Sequence, residues 1–282
     1  MLVAAISRFR IPGSGYSAWL GMLMFSLSKW YCDCVSDEGV AFIGYWARVR
    51  WGLLTIPYAA TLYKPADGVT RERYSTRGCA TPSVEENELR WDCSRLGVRA
   101  AWSPRAPAIH RVLFDSTEGS IEWRCHFPHA QARVDLAEPG RLSGLGYAEQ
   151  LHLTMKPWRL PFEELRWGRL LTPDDAVIWI EWRGREPRQW VFHNGSELRG
   201  ATIDETGVEL PNDLGVVELT DAVVLREGRL TSTALGVIPW ASGWLPRGIK
   251  NAHETKWLAR GMLTTGTRSS SGWAIHEVVR WR

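Results

Sequence analysis

Hydrophobic positions along this chain show little of the period of a helix turn after residue 25. After residue 25, runs rich in Val, Ile, Trp, Tyr and Thr are broken by Gly, Pro, Asp or Asn roughly every 8–12 residues, the pattern of an antiparallel sandwich or barrel. The spacing predicts strands at Phe25–Cys34 and Val40–Val49, joined by a turn at Ser36–Gly39. Others are expected at Leu53–Tyr63, Glu88–Cys93, Arg111–Asp115, Ser120–His126, Ala130–Leu136 and Leu142–Met155. A second series follows at Leu165–Leu171, Ala176–Trp182, Gln189–His193, Ala222–Arg226, Gly228–Thr233 and Gly272–Trp281.

The two series echo each other. Lys29-Trp30, Asp37-Glu38, Val40-Ala41-Phe42-Ile43 and Tyr45 overlay without gaps on Arg166-Trp167, Asp174-Asp175, Val177-Ile178-Trp179-Ile180 and Trp182. Each is a hairpin with a basic–aromatic pair, an acidic turn and an apolar–aromatic return. An all-β chain of two antiparallel β-barrel halves follows, residues 25–156 and 157–282, because each half alone would leave edges exposed. Pro157 and Pro161 mark the boundary, since neither suits a central strand.

Composition sharpens this picture. Seventeen tryptophans in 282 residues either build cores or line a pocket for a bulky apolar ligand. A net charge of +3 lacks the concentrated basic excess of a nucleic-acid binder, so nucleic acid is not expected as a partner. The five cysteines, Cys32, Cys34, Cys79, Cys93 and Cys125, contain no CxxC pair. They are expected as reduced, mostly buried thiols in a cytoplasmic protein. Residues 1–24 are expected as a leader or disordered extension, with Met24 an alternative start. The apolar run Ala18–Phe25 is too short to span a bilayer.

The segment Leu142–Thr154 carries the most chemical information. As a strand it places Leu145, Tyr147, Glu149, Leu151 and Leu153 on one face. If that face looks inward, Glu149 loses solvation and its pKa rises, keeping it a neutral acid beside a phenol. Such an acid in an aromatic cavity suits protonation of an unactivated C=C bond, with indole faces stabilising the developing cation. The alternative is a buried ion pair between Glu149 and Arg166 or Arg169.

Other candidates carry less. His126-x-x-His129 beside Cys125 splits across the two faces of a strand, so no metal is expected there. Asp33 and Glu181 lie among aromatics as candidate partners of arginine. In His276-Glu277, one side chain must face inward. The arginine-rich patches at 166–169 and 183–188 interleave with acids and read as solvated or capping positions. No nucleophile elbow, Walker loop, zinc-protease or dinucleotide motif occurs in a usable context.

Several of these segments together resemble one family. Lys29-Trp30-Tyr31-Cys32-Asp33-Cys34-Val35-Ser36-Asp37-Glu38-Gly39 is similar to the opening strand and turn of the carotenoid 1,2-hydratase (hydroxyneurosporene synthase) family and its AttH-like relatives. Gly144-Leu145-Gly146-Tyr147-Ala148-Glu149 resembles that family's Gly-Tyr-x-Asp segment. Leu165-Arg166-Trp167-Gly168-Arg169 with Val177–Trp182 is similar to the strand pair after it, and Ile275-His276-Glu277 to a His-Glu step near its end. The resemblance implies two lipocalin-like barrels around a hydrophobic pocket. It also implies acid-catalysed hydration or cyclisation of isoprenoid double bonds, without a cofactor. Tyr147 and Glu149 fall on its Tyr and acid. Glu replaces Asp here, and Trp123-Arg124-Cys125-His126 stands where the hydratases carry His-x-Trp.

Two functions remain open at this point. In one, Glu149 donates the proton and Tyr147 orients it, while Trp123, His126, Trp179, Trp182 and His276 contact the substrate. In the other, the chain binds or carries a hydrophobic isoprenoid or lipid, and Glu149 is structural. Both expect a hydrophobic small molecule as partner and are compatible with peripheral membrane contact.

Overall fold

A computed structural model describes residues 25–229 and 251–281. The expected leader, residues 1–24, and the end of the expected strand Gly228–Thr233 lie outside the described residues. The first series of strands is β1 (Phe25–Val35), β2 (Ala41–Trp51), β3 (Leu54–Lys64), β4 (Arg71–Ser75), β5 (Ser83–Glu85), β6 (Glu88–Cys93), β7 (Val98–Pro104), β8 (Ile109–Ser116), β9 (Gly119–Leu136) and β10 (Arg141–Leu153). The second is β11 (Glu164–Leu171), β12 (Ala176–Arg183), β13 (Arg188–His193), β14 (Ser196–Leu198), β15 (Thr202–Ile203), β16 (Gly207–Leu210), β17 (Gly215–Arg229), β18 (His253–Thr265) and β19 (Arg268–Arg280).

These strands form two curled antiparallel sheets with matching order. The first runs β4-β3-β2-β1-β10-β9-β7-β6-β5, with β8 also on β9; the second runs β14-β13-β12-β11-β19-β18-β17-β16-β15. In both, the opening strand of the series pairs with its closing strand, β1 with β10 and β11 with β19. This is the lipocalin-like all-β architecture.

The repeat is real in topology, but its register differs from the gap-free overlay. Trp30 packs inside the curl of the first sheet with Phe42, Trp91 and Trp102, whereas Trp167 packs in the core shared by both sheets. Because side chains alternate faces, a one-residue slip exchanges them. The pairing that preserves the faces matches Tyr31 with Trp167, Asp33 with Arg169 and Val35 with Leu171. The connection Thr172–Asp175 is one residue shorter than Ser36–Val40.

Each sheet encloses its own small core and offers its other face to its partner. The first sheet's inner core includes Trp30, Trp91 and Trp102; the second's includes Leu170, Trp179 and Val208. Between the sheets lies a larger cluster containing Tyr31, Tyr45, Trp123, Tyr147, Trp167, Trp182 and Ile275. Gly168 explains part of this division. A Cβ there would run into the ring of Trp179, so only glycine lets that indole lie flat across β11.

Cys79 and Cys93 form a disulfide, correcting the expectation of five thiols. The chain doubles back through β5 and β6 to bring their Cα atoms within 4.6 Å, a proximity that cysteine spacing does not reveal. Cys32, Cys34 and Cys125 are buried free thiols. Among the described residues, no helix is long and apolar enough to cross a membrane.

Candidate functional site

Glu149 stands on β10 directly opposite Tyr31 of β1. The odd-numbered residues of β10 face the second sheet, so Glu149 points into the space between the sheets and not into the first sheet's own curl. The pairing of β10 with β9 shifts register between Ala148 and Glu149. Irregularities of this kind re-aim side chains. Here the shift brings Trp123 of β9 alongside.

Three neutral donors converge on one oxygen of this carboxyl group. Trp123 Nε1 donates to Glu149 Oε2 at 2.5 Å, the Tyr147 hydroxyl at 2.6 Å, and Trp167 Nε1 at 3.2 Å. The first two come from the first sheet and the third from the second. Among the described residues nothing bonds Oε1, and the side chain keeps part of its surface accessible. Burial raises the Glu149 pKa above the ordinary carboxylate range, although Trp123 and Tyr147 pull the other way by favouring the anion. Neither Arg166 nor Arg169 reaches it. Arg166 is held by Glu164 and Glu205, and Arg169 by Asp33.

The aromatic surround is tight. Tyr31 and Trp167 meet edge to face at 4.9 Å, and Tyr147 meets Trp167 at 5.6 Å. Trp123 stacks on Phe192 of β13 at 5.4 Å, a further contact between sheets. Such geometries suit the ring quadrupoles and place indole and phenol faces around the acid.

Charged groups flank this cluster in fixed pairs. Asp33 and Arg169, both fully buried, form a two-pronged bond at 2.9 and 3.1 Å, and Tyr31 donates to the same carboxylate at 3.0 Å. Lys256 of β18 pairs with Glu277 of β19 and sits 5.4 Å from the rings of Tyr31 and Trp167. Arg226 grips Glu254 through both carboxylate oxygens at 2.7 and 2.9 Å. Glu277 faces Trp167 across β11 and β19 just as Glu149 faces Tyr31 across β1 and β10. The position of the acid therefore occurs twice in the fold. Burial would raise the second carboxyl, but Lys256 overrides it and holds Glu277 at about 2.

Of the residues singled out from the sequence, the structure brings Tyr147, Glu149 and Trp123 together. Trp182 lies in the shared core but packs on Phe162 at 4.6 Å and Trp190 at 5.0 Å. Trp179 belongs to the inner core of the second sheet, on the opposite face of β12. His126 stacks on Trp30 at 4.8 Å and His276 on Trp257 at 4.9 Å, both on faces turned away from Glu149. In the His276-Glu277 step it is Glu277 that faces inward. Among the described residues no group of His, Cys, Asp and Glu could hold a metal ion. Sequence reasoning missed Trp167 and Lys29 as neighbours of the acid, and Lys256 as the partner of Glu277. The first two were visible as basic–aromatic pairs, but their facing was not.

A separate cavity of about 200 Å³ lies toward the other end of the same strands, lined by Val35, Leu145, Arg169, Leu171, Arg260 and Trp273. Leu145 is four residues from Glu149 on one face, a separation of about 13 Å along a strand.

No protein-family model matches the chain, and no curated protein matches it in sequence. Its fold does have solved counterparts. CghA, in complex with Sch210972, is similar at a TM-score of 0.56 and 11% identity, over 91% of this chain and 89% of its own. A protein of Nitrosomonas europaea described as an AttH is similar at 0.58 and 10% identity, over 98% of this chain and all 100% of its own. Kievitone hydratase from Nectria haematococca is similar at 0.50 and 11% identity, over 90% and 88%. At such identities the likeness is one of fold, and it meets the resemblance to AttH-like proteins at that level.

Proposed function

We propose that this chain is a cofactor-independent acid catalyst that hydrates or cyclises a C=C bond of a hydrophobic, isoprenoid-type substrate. The observation that carries this reading is the environment of Glu149: a carboxyl group with a raised pKa, held by two indoles and a phenol and paired with no cation. With the donors on Oε2, the proton belongs on Oε1, the oxygen left accessible. Transfer to an alkene carbon forms a C–H bond, leaves a carbocation and generates the carboxylate. The three donors then stabilise the charge created. Addition of water and return of a proton to Glu149 complete hydration; loss of a proton to Glu149 after ring closure completes cyclisation. That one protein of similar fold is named a hydratase supports the reaction class by analogy alone.

The test is incubation with a linear isoprenoid polyene in D2O, with mass spectrometry of the product. Wild type should yield a product carrying solvent deuterium on carbon, while Glu149→Gln should bind the polyene, by tryptophan quenching, and yield none. Equal product from both would reject Glu149 as the donor. Binding by both without product would leave a carrier of hydrophobic ligands, in which the three bonds to Oε2 serve to join the sheets.

A further inference from the structure

Most charged groups facing the space between the sheets are tied down, while Lys29 and, at the other end by the cavity, Arg260 have only ring contacts among the described residues. Asp33 is held by Arg169, Glu254 by Arg226, and Glu277 by Lys256. Lys29 differs. It lies on β1 in phase with Tyr31 and Asp33, opposite Leu151 of β10 and Ala47 of β2, so it faces the second sheet. It is half-buried, yet among the described residues no hydrogen bond or ion pair reaches its Nζ. Its Nζ lies 5.5 Å from the centre of the Tyr45 ring. Its charge acts on both Glu149 and Glu277, so it stands within electrostatic reach of the acid without contacting it.

Accessible surface persists around it. Leu27, Val49, Tyr58 and Leu151 face the shared core but are only half-buried, so the sheets do not fill the space beside Lys29. A hydrocarbon entering that space would strip water from the ammonium and return nothing, which is a costly way to bury an ion. A ligand with an anionic oxygen would supply the missing partner through a charge-assisted hydrogen bond.

We infer that Lys29 binds an anionic oxygen of the ligand, a carboxylate, so that the substrate class is a hydrophobic unsaturated acid and not a hydrocarbon. The inference rests on the preceding reading for which space the ligand occupies. Glu149 is the diagonal neighbour of Lys29 across β1 and β10, a spacing of about 7–8 Å. The anionic group and the carbon that receives the proton are therefore a few bonds apart. Lys29 is a specificity residue here: it fixes one end of the ligand and takes no part in moving the proton.

Retinoic acid and retinol share a polyene and differ in the end group, so tryptophan quenching by each at pH 8 tests the assignment. Wild type should favour the acid by about tenfold, the size expected for one charge-assisted contact. Lys29→Met and Lys29→Gln should lose that preference by weakening the acid alone, while Lys29→Arg should keep most of it. Persistence of the preference in either neutral variant, no preference in wild type, or no binding of either probe would overturn the proposal. Glu149→Gln separates the two readings. It should keep the acid preference whether or not Glu149 proves to be the proton donor.

Discussion

The indole nitrogen of Trp167 lies 3.2 Å from Oε2 of Glu149, so an acid on the first sheet is held in part by the second. The candidate site thus belongs to neither half. It forms where the faces of β10 and β11 meet, and its properties depend on how the sheets sit against each other.

Trp167→Phe should expose this dependence. It removes a donor to the carboxylate and trims a buried ring, at an expected cost of about 1–3 kcal/mol in urea unfolding. The Glu149 pKa should move further up, because a bond favouring the anion is gone. Infrared titration of the protonated carboxyl, with Glu149→Gln as the blank, reads the shift. A downward movement would contradict the assignment.

Asp33 and Arg169 join the same two sheets through a fully buried ion pair. Removing either partner leaves the other charged and unpaired, so Asp33→Asn or Arg169→Met should each cost about 3–5 kcal/mol. The double variant should recover much of that loss. A double mutant as unstable as the sum of the singles would mean that the pair acts through its other bonds, such as Arg169 to the Trp273 carbonyl at 2.6 Å.

Glu277, His276 and Glu149 each tie stability to pH. Glu277 is held at about 2, below the unfolded value of about 4.3, so its contribution is present above that value and is lost as pH falls toward 2. Burial, with Lys256 nearby, lowers His276 to about 4. The fold then binds fewer protons than the unfolded chain between about 6.5 and 4, and stability is lost on acidification through that window. Glu149 has the opposite sign. Its folded pKa is raised, so stability falls as pH rises from about 4.3 through the folded value. Urea midpoints across pH should show His276→Phe, which keeps the stack on Trp257, reducing the 6.5-to-4 limb, with the part due to His129, also lowered by burial to about 4, remaining. Glu149→Gln should remove the opposing fall that begins at about 4.3, and so steepen the net rise of stability with pH above it.

Gly168→Ala tests the packing behind the site. The added methyl meets the Trp179 ring, and overpacking of this kind should cost about 1–3 kcal/mol. Near-ultraviolet circular dichroism should change with the displaced indole. A neutral substitution with an unchanged spectrum would show that the ring has room to move.

How much of this was legible in the sequence depended on where charge sits. Glu88–Cys93 matches β6 at both ends, and the odd-numbered face of β10 was readable because leucines mark it. β18 was not found. Its inward positions include Glu254 and Lys256, both buried, so charge occupies the phase where hydrophobicity is sought. β9 was read as two strands, Ser120–His126 and Ala130–Leu136, on either side of Pro128. In the fold it is one strand whose halves pair with β8 and β7 in turn. The site was half legible for a related reason. A two-residue period reveals which residues share a face, but not which sheet that face meets. Trp167 lay one position away from the tryptophan pairing that the gap-free overlay suggested.

The duplicated acid position has a consequence for any long molecule lodged across the seam. At one address burial among indoles and a phenol raises the carboxyl's pKa; at its twin an ammonium lowers it. Two halves built on one plan therefore offer unlike chemistry at matching points. A ligand whose termini differ would meet a different greeting at each end, giving it one preferred direction of travel into the protein.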